Sequence, residues 1–227
     1  MADLRSSYLG LELRNPVIAS AGPLSQSVED IKALADAGVG AVTMFSLFEE
    51  QLLRDAERLV ELEEQFADIT PEAISFFPEV PRAEADAVTN YLRLVEKGAQ
   101  AIDVPLIASL NGASRGGWVH SARSLQDAGA AALELNIYYV PGDLTLGGEE
   151  VEQRHLDILR AVKSEVSIPV AVKLSPYFSS VGAMCQRLDR AGADGLVLFN
   201  RFLQPDIDLD RLEVVSGVTL SSPVDAR

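Results

Sequence analysis

Three times in this chain a helical pattern closes on Ala-Gly and passes at once into an apolar strand. The junctions are Asp36-Ala37-Gly38, Asp127-Ala128-Gly129 and Arg190-Ala191-Gly192. Glycine suits the left-handed position that ends a helix, so each phrase marks a helix stop followed by a strand start. The repeat is a strand–helix unit read three times over. Alternating units of this kind imply a parallel sheet with right-handed crossovers.

The strand-like runs fall at 16–21, 41–46, 105–110, 132–137, 169–174 and 195–200. Each is nearly continuous in apolar residues, the pattern of a strand covered on both faces. Several open on Pro, which the first residue of a strand tolerates. Helical patterns lie between them, over 28–37, 47–66, 84–98, 117–128, 149–165 and 180–191. A doubly wound sheet and a (β/α)8 barrel both satisfy this alternation. No Gly-x-Gly-x-x-Gly follows the first strand, which weakens a dinucleotide-binding reading. Ser20, Ser46, Asn111, Asn136, Lys173 and Asn200 stand at or just past the C-terminal ends of different strands, the rim where barrels build their sites. The expected fold is therefore α/β, a (β/α)8 TIM-barrel type with about six βα units, as a single domain over 1–227. Beyond Asn200 the pattern suggests a small hairpin through Pro205–Asp210 and Glu213–Val215. Residues 67–82 read as an irregular stretch, of a length that is often functional.

Composition narrows the partners. There are 19 Lys and Arg against 34 Asp and Glu, a formal net charge of −15. Such acidity disfavours a nucleic-acid backbone, which wants clustered basic residues, and an anionic membrane surface. The single cysteine, Cys185, excludes an internal disulfide and fits a reducing compartment. No run reaches the ~18 apolar residues of a membrane span, and the first residues lack a signal pattern. A cytoplasmic protein acting on a small molecule is the expectation.

Lys173 is the sharpest single signal. A lysine inside Val170-Ala171-Val172-Lys173-Leu174 sits in a buried strand, and a buried ammonium is costly unless paired or used. It is either a cation facing an anionic cofactor or substrate, or a strand-end lysine reaching for water. Asn136 and Asn200 can each donate and accept, which suits a heterocycle with alternating carbonyls and N–H groups; each could also simply cap a turn. Asn111-Gly112-Ala113-Ser114-Arg115-Gly116-Gly117 is a glycine-rich turn that could hold phosphate, without the Gly-Lys-Ser/Thr of a P-loop. His120 and His155 lack a metal-ligand partner at useful spacing. They read as surface or packing residues, and Cys185 as a helix residue.

At these positions the sequence resembles the dihydroorotate dehydrogenase family of FMN-dependent barrels, over essentially its whole length. Tyr8-Leu9-Gly10-Leu11-Glu12-Leu13-Arg14-Asn15-Pro16 resembles the family's opening hairpin and first strand. Ser20-Ala21-Gly22 is similar to its flavin-approaching turn, and Glu134-Leu135-Asn136 to the strand whose Asn serves the site. Val172-Lys173-Leu174-Ser175-Pro176 resembles the segment whose Lys lies by the flavin's pyrimidine end, and Gly195–Asn200 the strand whose Asn contacts substrate. The resemblance implies hydride transfer through flavin N5, with Lys173 stabilising the reduced flavin. It places Ser20, Ala21, Gly22, Ser46, Asn111, Asn136 and Lys173 on FMN, and Asn136 and Asn200 on substrate.

Departures from the family's pattern are equally specific. Phe45 stands where the family usually has a Lys before the retained Ser46. Tyr139 stands at the position of the Cys or Ser base, which makes it the candidate for that role beside Lys173. Ser75-Phe76-Phe77-Pro78 stands where the family's Asn-Ser loop grips its substrate. A substrate other than dihydroorotate is therefore expected. The family's last βα units, which hold the FMN phosphate, have no counterpart, so weak FMN retention is expected: either the chain is a fragment, or a second copy or another partner covers the open seam. The alternatives are a non-catalytic or fragmentary barrel protein that no longer holds FMN, and a flavin-free enzyme using Lys173 as an amine nucleophile.

Overall fold

The computed structural model describes residues 2–48, 83–111, 115–137, 145–200, 205–208 and 213–216. It opens with a hairpin in which β1 (Ser6–Tyr8) pairs antiparallel with β2 (Leu11–Leu13). Leu9 and Gly10 form the turn at φ 56° and 73°, the two positive values that match a two-residue turn to the twist of its strands. A leucine tolerates this backbone here because its side chain is buried, 5% exposed, in the core beneath the hairpin.

The main chain then alternates as its pattern predicts. β3 (Ile18–Ala19), α1 (Val28–Asp36), β4 (Ala41–Phe48) and α2 (Ala83–Ala101) come first, followed by β5 (Leu106–Asn111), α3 (Arg115–Asp127) and β6 (Ala132–Asn136). α4 (Gly148–Lys163), β7 (Val170–Leu174), α5 (Val181–Arg190) and β8 (Gly195–Leu198) complete the run. Strands β3 to β8 pair in chain order, every pair parallel. The sheet curls into a six-stranded half-barrel, an incomplete TIM-barrel type, with β3 and β8 as its edges among the described residues. β9 (Pro205–Asp208) and β10 (Glu213–Ser216) form the small antiparallel hairpin expected after Asn200.

The three Ala-Gly junctions behave alike. Gly38, Gly129 and Gly192 take φ of 98°, 97° and 99°, and each N–H returns to its helix, at Ala35, Gln126 and Asp189.

Strand alternation sorts the side chains into two cores. Val42, Met44, Leu106, Ala108, Leu133, Leu135, Val170 and Val172 face outward and pack under the helices. Ala41, Ile107, Ala132 and Ala171 face inward near the strand starts and pack against Leu9 and Leu13 of the hairpin. The hairpin thus plugs one end of the half-barrel. At the other end the inward positions turn polar, and that is where the candidate site lies.

Boundaries differ in physical detail. β4 continues past Ser46 to Phe48, because Leu47 and Phe48 extend the ladder opposite Leu110 and Asn111; the helical pattern expected from residue 47 therefore does not include these two. β3 keeps only two residues of its six-residue run, since Pro16 has no N–H to give a ladder and Pro23–Ser25 form a 3-10 turn. β8 ends at Leu198, before Asn200. The rest of the helical pattern to residue 66 and the irregular stretch over 67–82 lie outside the described residues.

Candidate functional site

A cavity of about 1230 Å³ opens at the C-terminal ends of the strands. Ser20, Ala21 and Gly22 border it from the turn after β3, and Ser46 from β4. Asn136 and Lys173 enter from β6 and β7, and Asn200 from just beyond β8. The structure thus gathers seven of the sequence-derived candidates in one place. Asn111, the last residue of β5, is not among the residues lining the cavity. Tyr139 lies outside the described residues, as does the loop over 112–114.

Register explains the gathering. Inward-facing Ser46, Ser109 and Glu134 lie side by side across β4, β5 and β6. Asn136 lies beside Lys173 one layer further along. The two layers are joined by side-chain hydrogen bonds. Asn200 Nδ2 donates to Asn136 Oδ1 at 2.7 Å, and Asn136 Nδ2 donates to Ser46 Oγ at 3.3 Å. The hydroxyls of Ser46 and Ser109 are 2.8 Å apart, and Ser109 donates to Glu134 Oε1 at 3.2 Å. That same oxygen is 3.5 Å from Lys173 Nζ. The chain of contacts runs without a break from Asn200 to Lys173, through four strands and the segment after β8.

Burial gives the network its weight. Ser109 is fully buried, and Glu134 and Asn136 are each 5% exposed. Buried polar groups are retained at low cost only when satisfied, and each of these is. Tyr91 of α2 reaches in from outside the sheet: its hydroxyl donates to the Phe45 carbonyl at 2.6 Å, with the Ser109 carbonyl at 3.3 Å. Burial pushes the Tyr91 phenol well above its ordinary value, so it acts as a neutral donor. Arg93 and Lys97 of α2 border the mouth, and among the described residues the lining contains no Asp or Glu.

Three members of this network carry no role in the sequence reading. Glu134 is visible there only as a letter of Glu-Leu-Asn, although its spacing two before Asn136 puts both on one face of a strand. Ser109 is equally accessible to that period. Tyr91 has no such signal, because its partners are 46 and 18 residues away. The histidines fall as expected: His120 is exposed, and His155 is buried in α4 with its ring edge-on to Phe178 at 5.3 Å. No cluster of three metal-ligating side chains occurs among the described residues, and no helix there is long and apolar enough to cross a membrane.

A half-barrel of parallel strands with a polar, cation-bearing cavity at their C-terminal ends is the architecture of a barrel enzyme's active-site face. The sequence profile described as dihydroorotate dehydrogenase matches residues 3–218, and the chain belongs to the dihydroorotate dehydrogenase family. It is 28% identical over 229 residues to "Dihydroorotate dehydrogenase B (NAD(+)), catalytic subunit" of Shouchella clausii, covering 92% of this chain and 66% of that protein. The protein of that name from Methanothermobacter thermautotrophicus is 28% identical over 211 residues, covering 91% and 64%. That from Listeria innocua reaches 36% over 132 residues, covering 55% and 42%. A crystal structure of phosphonopyruvate hydrolase with oxalate and Mg++ has a TM-score of 0.48 at 19% identity, covering 83% of this chain and 59% of its own. The chain spans 62–66% of the length of four such relatives that it matches over most of its own length.

Proposed function

We propose that this protein is an FMN-dependent oxidoreductase that moves a hydride between flavin and a CH–CH group of a small molecule other than dihydroorotate. The observation that carries the reading is the unbroken polar chain from Asn200 to the Lys173–Glu134 pair along one cavity. The donor set suits an isoalloxazine ring. Asn136 and Asn200 offer both donors and acceptors, Ser46 adds a hydroxyl, and Lys173 adds a positive charge. Gly22 leaves the adjoining wall open, since a Cβ there would meet only the Ser20 carbonyl, at 3.8 Å. The basic residues at the mouth, Arg93 and Lys97, suit a ligand that carries phosphate.

Flavin, when bound, supplies hydride exchange at N5. The protein's own part is electrostatic and positional. Glu134 holds Lys173 in place by an ion pair, and Lys173 presents a fixed charge where negative charge develops. Asn200 fixes the Asn136 amide by taking up its carbonyl, which leaves Asn136 directed at Ser46. Lys173 in an ion pair serves as a charge rather than as a free amine, which favours this reading over a flavin-free Schiff-base enzyme. Tyr139 is the proposed proton carrier.

Phe45 supports the altered substrate. It lines the cavity with its ring edge-on to Tyr91, centroids 4.9 Å apart. An aryl ring offers no donor to the carboxylate of dihydroorotate. We also propose that a second copy or another chain covers β3 and β8, the edges of the sheet among the described residues.

The test is the absorbance spectrum of the purified chain before and after FMN, followed through desalting. A yellow complex that forms on adding FMN and loses part of its flavin on desalting is expected, and dihydroorotate should not bleach it. A colourless protein that takes up no FMN would favour the reading in which the barrel no longer holds flavin. Rapid bleaching by dihydroorotate would overturn the substrate argument.

A further inference from the structure

Strand β4 carries one residue too many. Thr43 lies opposite Ile107 and Ser46 opposite Ser109, so β4 advances three residues while β5 advances two. This is a β-bulge, the device that re-aims a side chain at the cost of a broken ladder. Phe45, Ser46 and Leu47 all reach the cavity lining, whereas an unbroken strand would offer only alternate residues. An unbulged continuation from Thr43 would pair Met44 with Ala108 and Phe45 with Ser109. The bulge therefore decides which side chain joins the polar network, a hydroxyl or a phenyl ring.

A half-buried peptide outside the ladder needs other partners. The Phe45 N–H donates to Ser25 Oγ at 2.8 Å, and its carbonyl accepts from the Tyr91 hydroxyl at 2.6 Å. Both side chains are buried, Ser25 at 1% and Tyr91 at 4% exposure. Ser25 Oγ donates onward to the Gly22 carbonyl at 3.1 Å, which ties the turn after β3 to the same point. The Tyr91 ring also packs edge-on against the Phe45 ring. Every contact of this clasp favours the bulged register.

We propose that Tyr91 and Ser25 are positioning residues: they clasp the Phe45 peptide so that Ser46, and not Phe45, stands beside Ser109 and receives the Asn136 amide. The consequence for flavin rests on the function proposed above; the register itself does not.

The experiment is NMR of the ligand-free protein. The wild type should show a contact between the Ser46 and Ser109 β-protons, and an Asn136 side-chain amide resonance identified by its loss in Asn136→Asp. In the Tyr91→Phe/Ser25→Ala variant, the Ser109 contact should transfer wholly or partly to Phe45, and the Asn136 resonance should shift. Tyr91→Phe alone keeps the ring and is read in the same way if the double variant does not fold. Deleting Phe45 should restore an even ladder in which the Ser46–Ser109 contact no longer depends on Tyr91. An undiminished Ser46–Ser109 contact with an unmoved Asn136 resonance in both clasp variants would overturn the proposal, even if stability fell. FMN titration of the same proteins separates the two readings: a wild type that takes up no FMN counts against the flavin function, while the contact still decides the clasp.

Discussion

Lys173 Nζ sits 3.5 Å from Glu134 Oε1, and the two side chains are only 12% and 6% exposed. They occupy neighbouring strands but different layers, so the pair crosses diagonally over the inner face of the sheet. Ser109 hydrogen-bonds the same carboxylate oxygen. A pair so far from water contributes through its integrity rather than through its net attraction.

Breaking the pair from one side should accordingly cost more than replacing it. Glu134→Leu should lower stability by about 3 kcal/mol, the range for stranding a buried charge. Adding Lys173→Met should restore most of that loss. Urea unfolding of both singles and the double closes the cycle. Single effects that simply add, within about 0.5 kcal/mol, would show that the two residues do not act as a pair.

His155 should make stability sensitive to mild acid. Burial pushes its imidazole below the ordinary value of 6.5, more than hydrogen bonding to the Val151 and Ile137 carbonyls pushes it up. The folded state thus resists a proton that the unfolded state accepts. Stability is unaffected above pH 6.5 and falls as pH drops below it, towards the lowered folded value. His155→Phe keeps a ring against Phe178 and removes the titration. Its unfolding free energy should be lower at pH 7, because the Nδ1–H bond to Val151 is lost, but flatter between pH 6.5 and 5. An equal slope in both proteins would assign the acid sensitivity to other groups.

The glycines near the first junction should separate two kinds of cost. Gly38 has φ 98° and nothing within 4 Å of an added Cβ, whereas a Cβ on Gly40 would meet the Asn15 carbonyl oxygen at 2.2 Å. Gly38→Ala should cost about 1 kcal/mol, from the left-handed backbone alone. Gly40→Ala forces backbone apart and should cost about 3 kcal/mol or more. Thermal or urea unfolding ranks them, and equal losses would mean that the Asn15 turn yields freely.

These contrasts show what was legible in the chain. Gly38, Gly129 and Gly192 announce the architecture because a helix stop is a local event, decided within a few residues. Lys173, Asn136 and Asn200 are legible as candidates because polar side chains at strand ends stand out against apolar runs, and the structure places all three on one cavity. Glu134 is partly legible through the two-residue period, but its partnership with Lys173 depends on the register between β6 and β7. The bulge at Phe45 is not legible at all. It is one extra residue in an ordinary apolar strand, held by Ser25 twenty residues before it and Tyr91 forty-six after. Strand ends at Ala19, Phe48 and Leu198 depend likewise on what the neighbouring strand offers.

The charge pair should also tune a bound flavin, in opposite directions for its two members. Reduction adds negative charge, so a nearby positive charge raises the potential and a nearby negative charge lowers it. With FMN bound, Lys173→Ala should lower the two-electron potential by tens of millivolts, the order expected of one partly screened charge. Glu134→Gln keeps an acceptor for Ser109 while removing the carboxylate's charge, so it should raise the potential. A dye-equilibrated reductive titration reads both. A shift of the same sign in both variants would point to general loosening of the site. An unchanged potential in Lys173→Ala would remove that lysine from the flavin's surroundings, and Glu134 would then be its structural counter-ion and nothing more.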